Sequence, residues 1–231
     1  MEFRQWGNMA LDLLFPPVCA ACSALGPLIC DHCGSQMLRI HEPLCQRCGR
    51  SLLYAAPVCA KCRQPGFRLQ QVRAPLAYQD PAAGIIHRFK YDGLFALAKP
   101  LAEIMVSSWP EWENLPDVIV PVPLHKRRQR RRGFNQASLL AAYLGETLAI
   151  PVNDRAMTRI IPTLPQFGLC PKERFANFKD AFVSVGIELK NKQVLLVDDV
   201  FTTGATMSAA AETLLASGAI GVSAYCLART V

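Results

Sequence analysis

The chain has 231 residues, 51% of them hydrophobic and 19% charged, so it can bury a sizeable core and is not a disordered, low-hydropathy chain. Its 25 basic and 18 acidic side chains leave a net charge of +7, which fits anionic partners such as phosphates, nucleic acid or an acidic membrane surface without choosing among them. No apolar stretch reaches the roughly 18 residues that would suggest a membrane-spanning helix, and the N-terminal residues lack a basic segment followed by a clean apolar one, so a cytoplasmic protein is expected.

Eight of the ten cysteines fall between positions 19 and 62, in four CxxC pairs: Cys19/Cys22, Cys30/Cys33, Cys45/Cys48 and Cys59/Cys62. That spacing lets two thiolates of one tight turn hold one metal, and two such turns make a closed four-cysteine zinc site. Two structural zinc sites are therefore expected. Pairing in chain order is preferred, with a crossed arrangement as the alternative. Disulfides are disfavoured in a chain without a secretory signal. Saturated thiolate sites leave no open position for zinc catalysis. His32 and His41 read as surface residues, and Leu13, Leu14 and Phe15 as packing residues. The uneven cysteine distribution sets a boundary near residues 63–75. A zinc-binding domain over 1–70 and a second domain over 71–231 follow from it.

From about residue 76 helices and strands alternate. Pro81 opens a helix carrying Ile85, Ile86 and Phe89, which Gly93 ends. Leu97, Leu101, Ile104 and Met105 mark a second helix, ending before Pro110. Residues 118–122 read as a strand. Residues 135–149 read as a helix with Asn135 as N-cap and with Leu140, Tyr143, Leu144 and Leu148 inward. A short strand is expected near 149–152. Strands near 194–198 and 222–227 flank a helix ending at about 217, with Gly218 as its stop. The pattern predicts a doubly wound α/β fold with a mainly parallel sheet flanked by helices.

Between these elements lie two loops. The first carries Lys126, Arg127, Arg128, Arg130, Arg131 and Arg132 directly after a buried strand. Cations there suit pyrophosphate, and the surplus suits a longer polyanion such as single-stranded DNA. Nearby Phe134 and Tyr91 are candidates for stacking on unpaired bases, with core packing as the alternative for Phe134. The second loop, 159–180, holds Pro162, Pro165, Pro171, Gly168, Arg159, Lys172 and Arg174, and reads as a lid. Cys170 within it reads as incidental, and Cys226 as a small buried strand residue.

The residues with the most chemistry are 194–206, VLLVDDVFTTGAT. Four apolar residues suit a strand buried on both faces. Asp198 and Asp199 at its end can accept hydrogen bonds from adjacent ribose hydroxyls or hold Mg²⁺ through water. Thr202, Thr203, Gly204, Ala205 and Thr206 form a small hydroxyl-rich turn at a helix start, where a phosphate is favoured. This run resembles the 5-phosphoribosyl-1-pyrophosphate (PRPP) motif of type I phosphoribosyltransferases.

Four elements together resemble the ComF/GntX family over nearly the whole chain. They are Lys90-Tyr91-Asp92-Gly93, the run from Val120-Pro121-Val122-Pro123-Leu124 through Arg128 and Arg132 to Gly133-Phe134-Asn135-Gln136, the set Gln166, Arg174 and Asn177, and residues 194–206. Arg127, Arg130 and Arg131 are extra to that pattern. The resemblance implies a double zinc ribbon ahead of a type I phosphoribosyltransferase-like domain. It implies that Lys90 and Arg128 join the 202–206 turn and the acid pair on PRPP with Mg²⁺. It assigns any catalysis to Asp198, Asp199 and Arg174. It also implies a role in receiving single-stranded DNA during natural transformation, with a competence helicase or other DNA-processing protein as partner. The alternative is an active Mg²⁺-dependent phosphoribosyltransferase of nucleotide metabolism, although no residue here is assignable to an accepting base.

Overall fold

A computed structural model describes residues 16–54, 56–63, 67–161, 181–185 and 189–231. The expectations for Leu13, Leu14, Phe15, Gln166, Cys170, Lys172, Arg174, Asn177 and the prolines of the 162–180 segment lie outside them.

The cysteine-rich part folds around two knuckle pairs, with short helices α1 (Asp31–Ser35) and α2 (Ala60–Arg63) each carrying the last cysteine of a pair's second knuckle, Cys33 and Cys62. The chain then enters the main sheet through two dipeptide strands, β1 (Val72–Arg73) and β2 (Leu76–Ala77). Helix α3 (Ala82–Tyr91), a 3₁₀ turn (Phe95–Leu97) and helix α4 (Ala98–Ser107) precede β3 (Val118–Pro121). Helices α5 (Lys126–Arg132) and α6 (Gln136–Leu148) follow, then β4 (Met157–Arg159), β5 (Phe182–Ser184), β6 (Gln193–Phe201), α7 (Ala205–Ala216) and β7 (Gly221–Arg229).

The main sheet is parallel, in the order β1-β7-β6-β3, with β2 also on β7. Side chains alternate between its faces. Val194 and Leu196 of β6, with Val222 and Ala224 of β7, pack with Met207, Ala210, Ala211 and Leu214 of α7. Leu195 and Val197, with Tyr225 and Leu227, pack on the other face with Ile85, Ile86 and Phe89 of α3, Leu101 and Met105 of α4, and Leu140 and Leu144 of α6. Every residue of β7 is buried, which explains why it is apolar but for Ser223, Tyr225 and Arg229. Cys226 sits in that strand, as its small apolar character suggests.

Several local expectations need correction. The basic run is not a loop but helix α5. His125 caps it by accepting the Arg127 N–H at Nδ1, and Gly133 closes it with φ 85°, donating its N–H to the Gln129 carbonyl. Arginines in the last turn also complement the helix dipole. Residues 149–152 do not form a strand. Ala149 ends α6 in a left-handed conformation, and only Val152 makes a parallel bridge, to Ile119. Pro151 has no N–H with which to continue a ladder. The segment expected to be loop from 159 onward begins instead in β4, which pairs antiparallel with β5 as a separate two-stranded sheet. The cap at Asn135 is as expected, with its side chain accepting the Ala137 N–H at 3.1 Å.

Candidate functional site

The two knuckle pairs close in chain order. The thiols of Cys19, Cys22, Cys30 and Cys33 lie within 4.8 Å of one another, and so do those of Cys45, Cys48, Cys59 and Cys62. Four thiolates at ~2.3 Å from a tetrahedral zinc must stand ~3.8 Å apart. The Sγ–Sγ distances of 3.8 Å for Cys22/Cys30 and 3.7 Å for Cys48/Cys59 meet that condition. Backbone N–H groups of Cys30 and Cys59 point at the sulfurs of Cys19 and Cys45, at 3.5 and 3.3 Å, which orients the ligands. The donor set and its geometry fit zinc, and the sites are two four-cysteine zinc sites. His32 and His41 are exposed and take no part.

The second centre is a cleft at the carboxyl end of the main sheet, of about 420 Å³. It forms because β3 stops at Pro121, opposite Val197, while β6 runs on to Phe201. Asp198 and Asp199 thus lie within a strand rather than at its tip, but beyond the end of their neighbour, where an open α/β sheet takes ligands. Asp199 shares the face of Leu195 and Val197. There it meets Lys90 from the last turn of α3, with Nζ 2.7 Å from Oδ1, and both side chains are largely buried. Burial opposes the lysine's charge, but the adjacent carboxylate outweighs it and holds Lys90 above its ordinary pKa. Burial and the Asp199 carboxylate raise the Asp198 carboxyl to about 7, against the pull of Lys90. Asp199 Oδ2 is buried and has no hydrogen-bond partner among the described residues.

The rest of the lining comes from distant segments. Thr202, Gly204, Ala205 and Thr206 face the cleft from the turn into α7, whereas Thr203 does not line it. Gly204 has φ 81°, and a Cβ there would lie 2.8 Å from Phe201 Cζ, so this position requires glycine. The helical period divides the basic run. Arg128, Arg131 and Arg132, at i, i+3 and i+4, line the cleft, while Lys126, Arg127 and Arg130 are exposed away from it. Arg132 donates to Gln136 Oε1, and its guanidinium lies 4.9 Å from the centre of the Tyr91 ring. Tyr91 is 57% exposed and also stacks with His87 at 4.7 Å. Phe134 packs on Phe89 at 5.7 Å and joins the core instead of offering a stacking face.

Arg159, Gln136 and Tyr78 also line the cleft; the sequence marks Arg159 only as part of a lid and Gln136 only within the family pattern, and it does not mark Tyr78. Arg159 is buried, and burial together with the charge of Arg128 lowers it to about 10. Two guanidiniums that repel one another inside a cleft form a receptor for an anion. With two carboxylates, a lysine, a hydroxyl-lined turn and several arginines, the cleft has the chemistry to hold a phosphorylated polyol. Carboxylates are acceptors suited to hydroxyls, and guanidinium and ammonium groups are donors suited to phosphates.

Among the described residues no helix is long and apolar enough to cross a membrane.

Comparison with known proteins agrees on both parts. Residues 10–63 match the double zinc ribbon domain family, and residues 101–230 match the phosphoribosyl transferase domain family. DNA utilization protein YhgH of Escherichia coli (strain K12) is 34% identical over 228 residues, covering 95% of this chain and all of that one. Competence protein F of Haemophilus influenzae is 34% identical over 209 residues, covering 87% of this chain and 90% of that one. A purine phosphoribosyltransferase from Pyrococcus horikoshii Ot3 is similar over 60% of this chain and 70% of that one, with 24% identity and a TM-score of 0.31, too distant a likeness to carry an argument. The match to these curated relatives over most of each chain, across a double zinc ribbon and a phosphoribosyltransferase domain, means that the chain belongs to the ComF/GntX family.

Proposed function

We propose that the cleft binds PRPP with Mg²⁺ and that the protein handles single-stranded DNA in the cytoplasm, as part of DNA uptake or utilisation. The observation that carries this reading is the division of α5. One face, Arg128, Arg131 and Arg132, points into a sugar-phosphate cleft, and the other, Lys126, Arg127 and Arg130, lies free for a second polyanion.

In the cleft, Asp198 and Asp199 accept from the ribose hydroxyls. The turn formed by Thr202, Gly204, Ala205 and Thr206, with Thr203 behind it, takes the 5-phosphate. Arg128 and Lys90 face the pyrophosphate side, and Arg174 of the 162–180 segment joins them in the family pattern. Mg²⁺ is a hard cation that retains waters and rides on substrate phosphates. Asp199 is already neutralised by Lys90, so the two acids would hold such an ion through water. The names of the two curated relatives, a DNA utilization protein and a competence protein, support the DNA part. A competence helicase or other DNA-processing protein is the partner this role calls for.

Calorimetric titration with Mg²⁺-PRPP tests the cleft. Wild type should bind, and the Asp198→Ala/Asp199→Ala variant should not; equal binding by both would exclude the assignment. Gel shift of single-stranded DNA across a salt series tests the second activity, and affinity that ignores salt would reject it.

A second reading, transfer of the phosphoribosyl group to an acceptor with release of pyrophosphate, is favoured by Arg159. Together with Arg128 it puts two cations where a pyrophosphate leaving group gains charge. Pyrophosphate release from PRPP in the presence of candidate bases separates an enzyme from a binder.

A further inference from the structure

The turn at 202–206 is fastened to the second zinc site. Lys61 lies between the zinc ligands Cys59 and Cys62, and its Nζ is 3.3 Å from the carbonyl oxygen of Thr203. Arg229 is buried, donates to the carbonyl of Cys48 and stacks its guanidinium 5.5 Å from the centre of the Phe201 ring. That ring is the one that fills the space beside Gly204. Phe67 approaches Gly204 from another side, with Cε2 3.7 Å from the position of its missing Cβ. Arg47 holds Phe67 in place. Its guanidinium lies 5.2 Å from the ring centre, and it donates to the carbonyls of Phe67 at 2.8 Å and Cys62 at 3.1 Å. The first zinc site is anchored elsewhere. Arg88 donates to the Ala20 carbonyl, Arg39 to Ser108 Oγ, and the main chain at Leu38 and Ile40 bonds that of Ala77 and Pro75.

We propose that Lys61 is a positioning residue for the phosphate turn, held in place by the second zinc knuckle. The inference rests on reading 202–206 as a phosphate site. In a trans peptide the C=O and the following N–H point in opposite directions. An ammonium that grips the Thr203 oxygen from outside therefore turns the Gly204 N–H the other way, toward a phosphate in the cleft. The same contact polarises the peptide and makes that N–H a stronger donor. Thr203 thus acts through its backbone, which accounts for its place behind the cleft.

The side chain of Lys61 is exposed, so replacing it leaves the core intact. The test uses the full chain with both zinc ions bound and compares wild type with Lys61→Ala and Lys61→Arg. Lys61→Ala should keep its zinc and its melting temperature but bind Mg²⁺-PRPP and inorganic phosphate about 5- to 10-fold more weakly, the scale of one charge-assisted contact. Without ligand, amide hydrogen exchange at 202–206 should become faster in Lys61→Ala. Lys61→Arg should restore both properties. Unchanged exchange and unchanged affinity in Lys61→Ala would overturn the proposal. If wild type binds neither PRPP nor phosphate, the phosphate reading of the turn fails. The ligand-free exchange data still decide whether Lys61 orders it, faster exchange supporting that role and unchanged exchange refuting it.

Discussion

Lys90 on α3 and Asp199 on β6 form an ion pair of 2.7 Å, with both side chains largely buried. A buried pair of this kind adds little net stability, but breaking it leaves one charge without compensation. Lys90→Met should therefore destabilise the protein by ~3–5 kcal/mol. Adding Asp199→Asn should recover most of that loss, because the stranded charge is removed. Urea-unfolding midpoints of the two variants and wild type check this. Equal losses in the single and double variants would contradict it.

The raised Asp198 carboxyl gives a pH-dependent cost with a definite sign. Between pH ~4 and ~7 the folded state keeps a proton that the unfolded chain has released, so this group's contribution falls as pH rises through that window. Asn cannot ionise. Asp198→Asn should be more stable than wild type by ~1–2 kcal/mol at pH 8, with the gain shrinking toward pH 5, while PRPP affinity falls. Urea unfolding of both proteins at the two pH values measures the difference, which cancels the pH dependence of the zinc sites. A gain that is the same at pH 5 and pH 8 would assign the effect to something other than this carboxyl.

The two sulfur tetrahedra call for two zinc ions per chain. Elemental analysis of purified protein should give that ratio. Stripping the metal with a strong chelator should unfold the cysteine-rich part, because so small a module has too little core to fold alone. A metal-free protein with unchanged circular dichroism would refute the ribbon assignment.

The two faces of α5 should separate in binding. Replacing Lys126, Arg127 and Arg130 by Gln should reduce the salt slope of single-stranded DNA binding by ~2, at ~0.7 per lost phosphate contact, and leave PRPP affinity nearly intact. Replacing Arg128, Arg131 and Arg132 should chiefly weaken PRPP binding. Gel shifts across a salt series and calorimetry on the two triple variants decide the matter. Identical effects on both ligands would mean that the faces do not divide the work.

The parts legible in the sequence were those written in local spacing. Four CxxC pairs announced two metal sites, but spacing alone left chain-order and crossed pairings both open, and only the folded positions of the sulfurs select chain order. The apolar run 194–197 and the acids after it announced a buried strand entering a cleft. Helix α5 was hidden because seven basic or polar residues have no apolar period. Its signal was in the flanks, where His125 caps the start and Gly133 closes the end. Strands β4 and β5 are three residues each, too short for alternation to stand out. Arg159, Gln136 and Tyr78 reach the cleft from segments far apart in the chain, and only the folded sheet brings them together. The lysine at 90 was marked by family resemblance, but its buried carboxylate partner depends on which face of β6 covers α3.

The route by which the chain enters the sheet has one more effect. β1 and β2 lie along β7, whose nine residues are all buried, and they occupy hydrogen-bonding groups that would otherwise form an open border. Without residues 16–77, β7 would present a nine-residue strand with one edge unpaired, the template on which separate chains pair strand to strand. The cysteine-rich segment and the dipeptide strands that follow it thus act as a built-in safeguard against aggregation. A truncated chain starting at α3 is expected to accumulate as insoluble material even though its other strands and helices are complete.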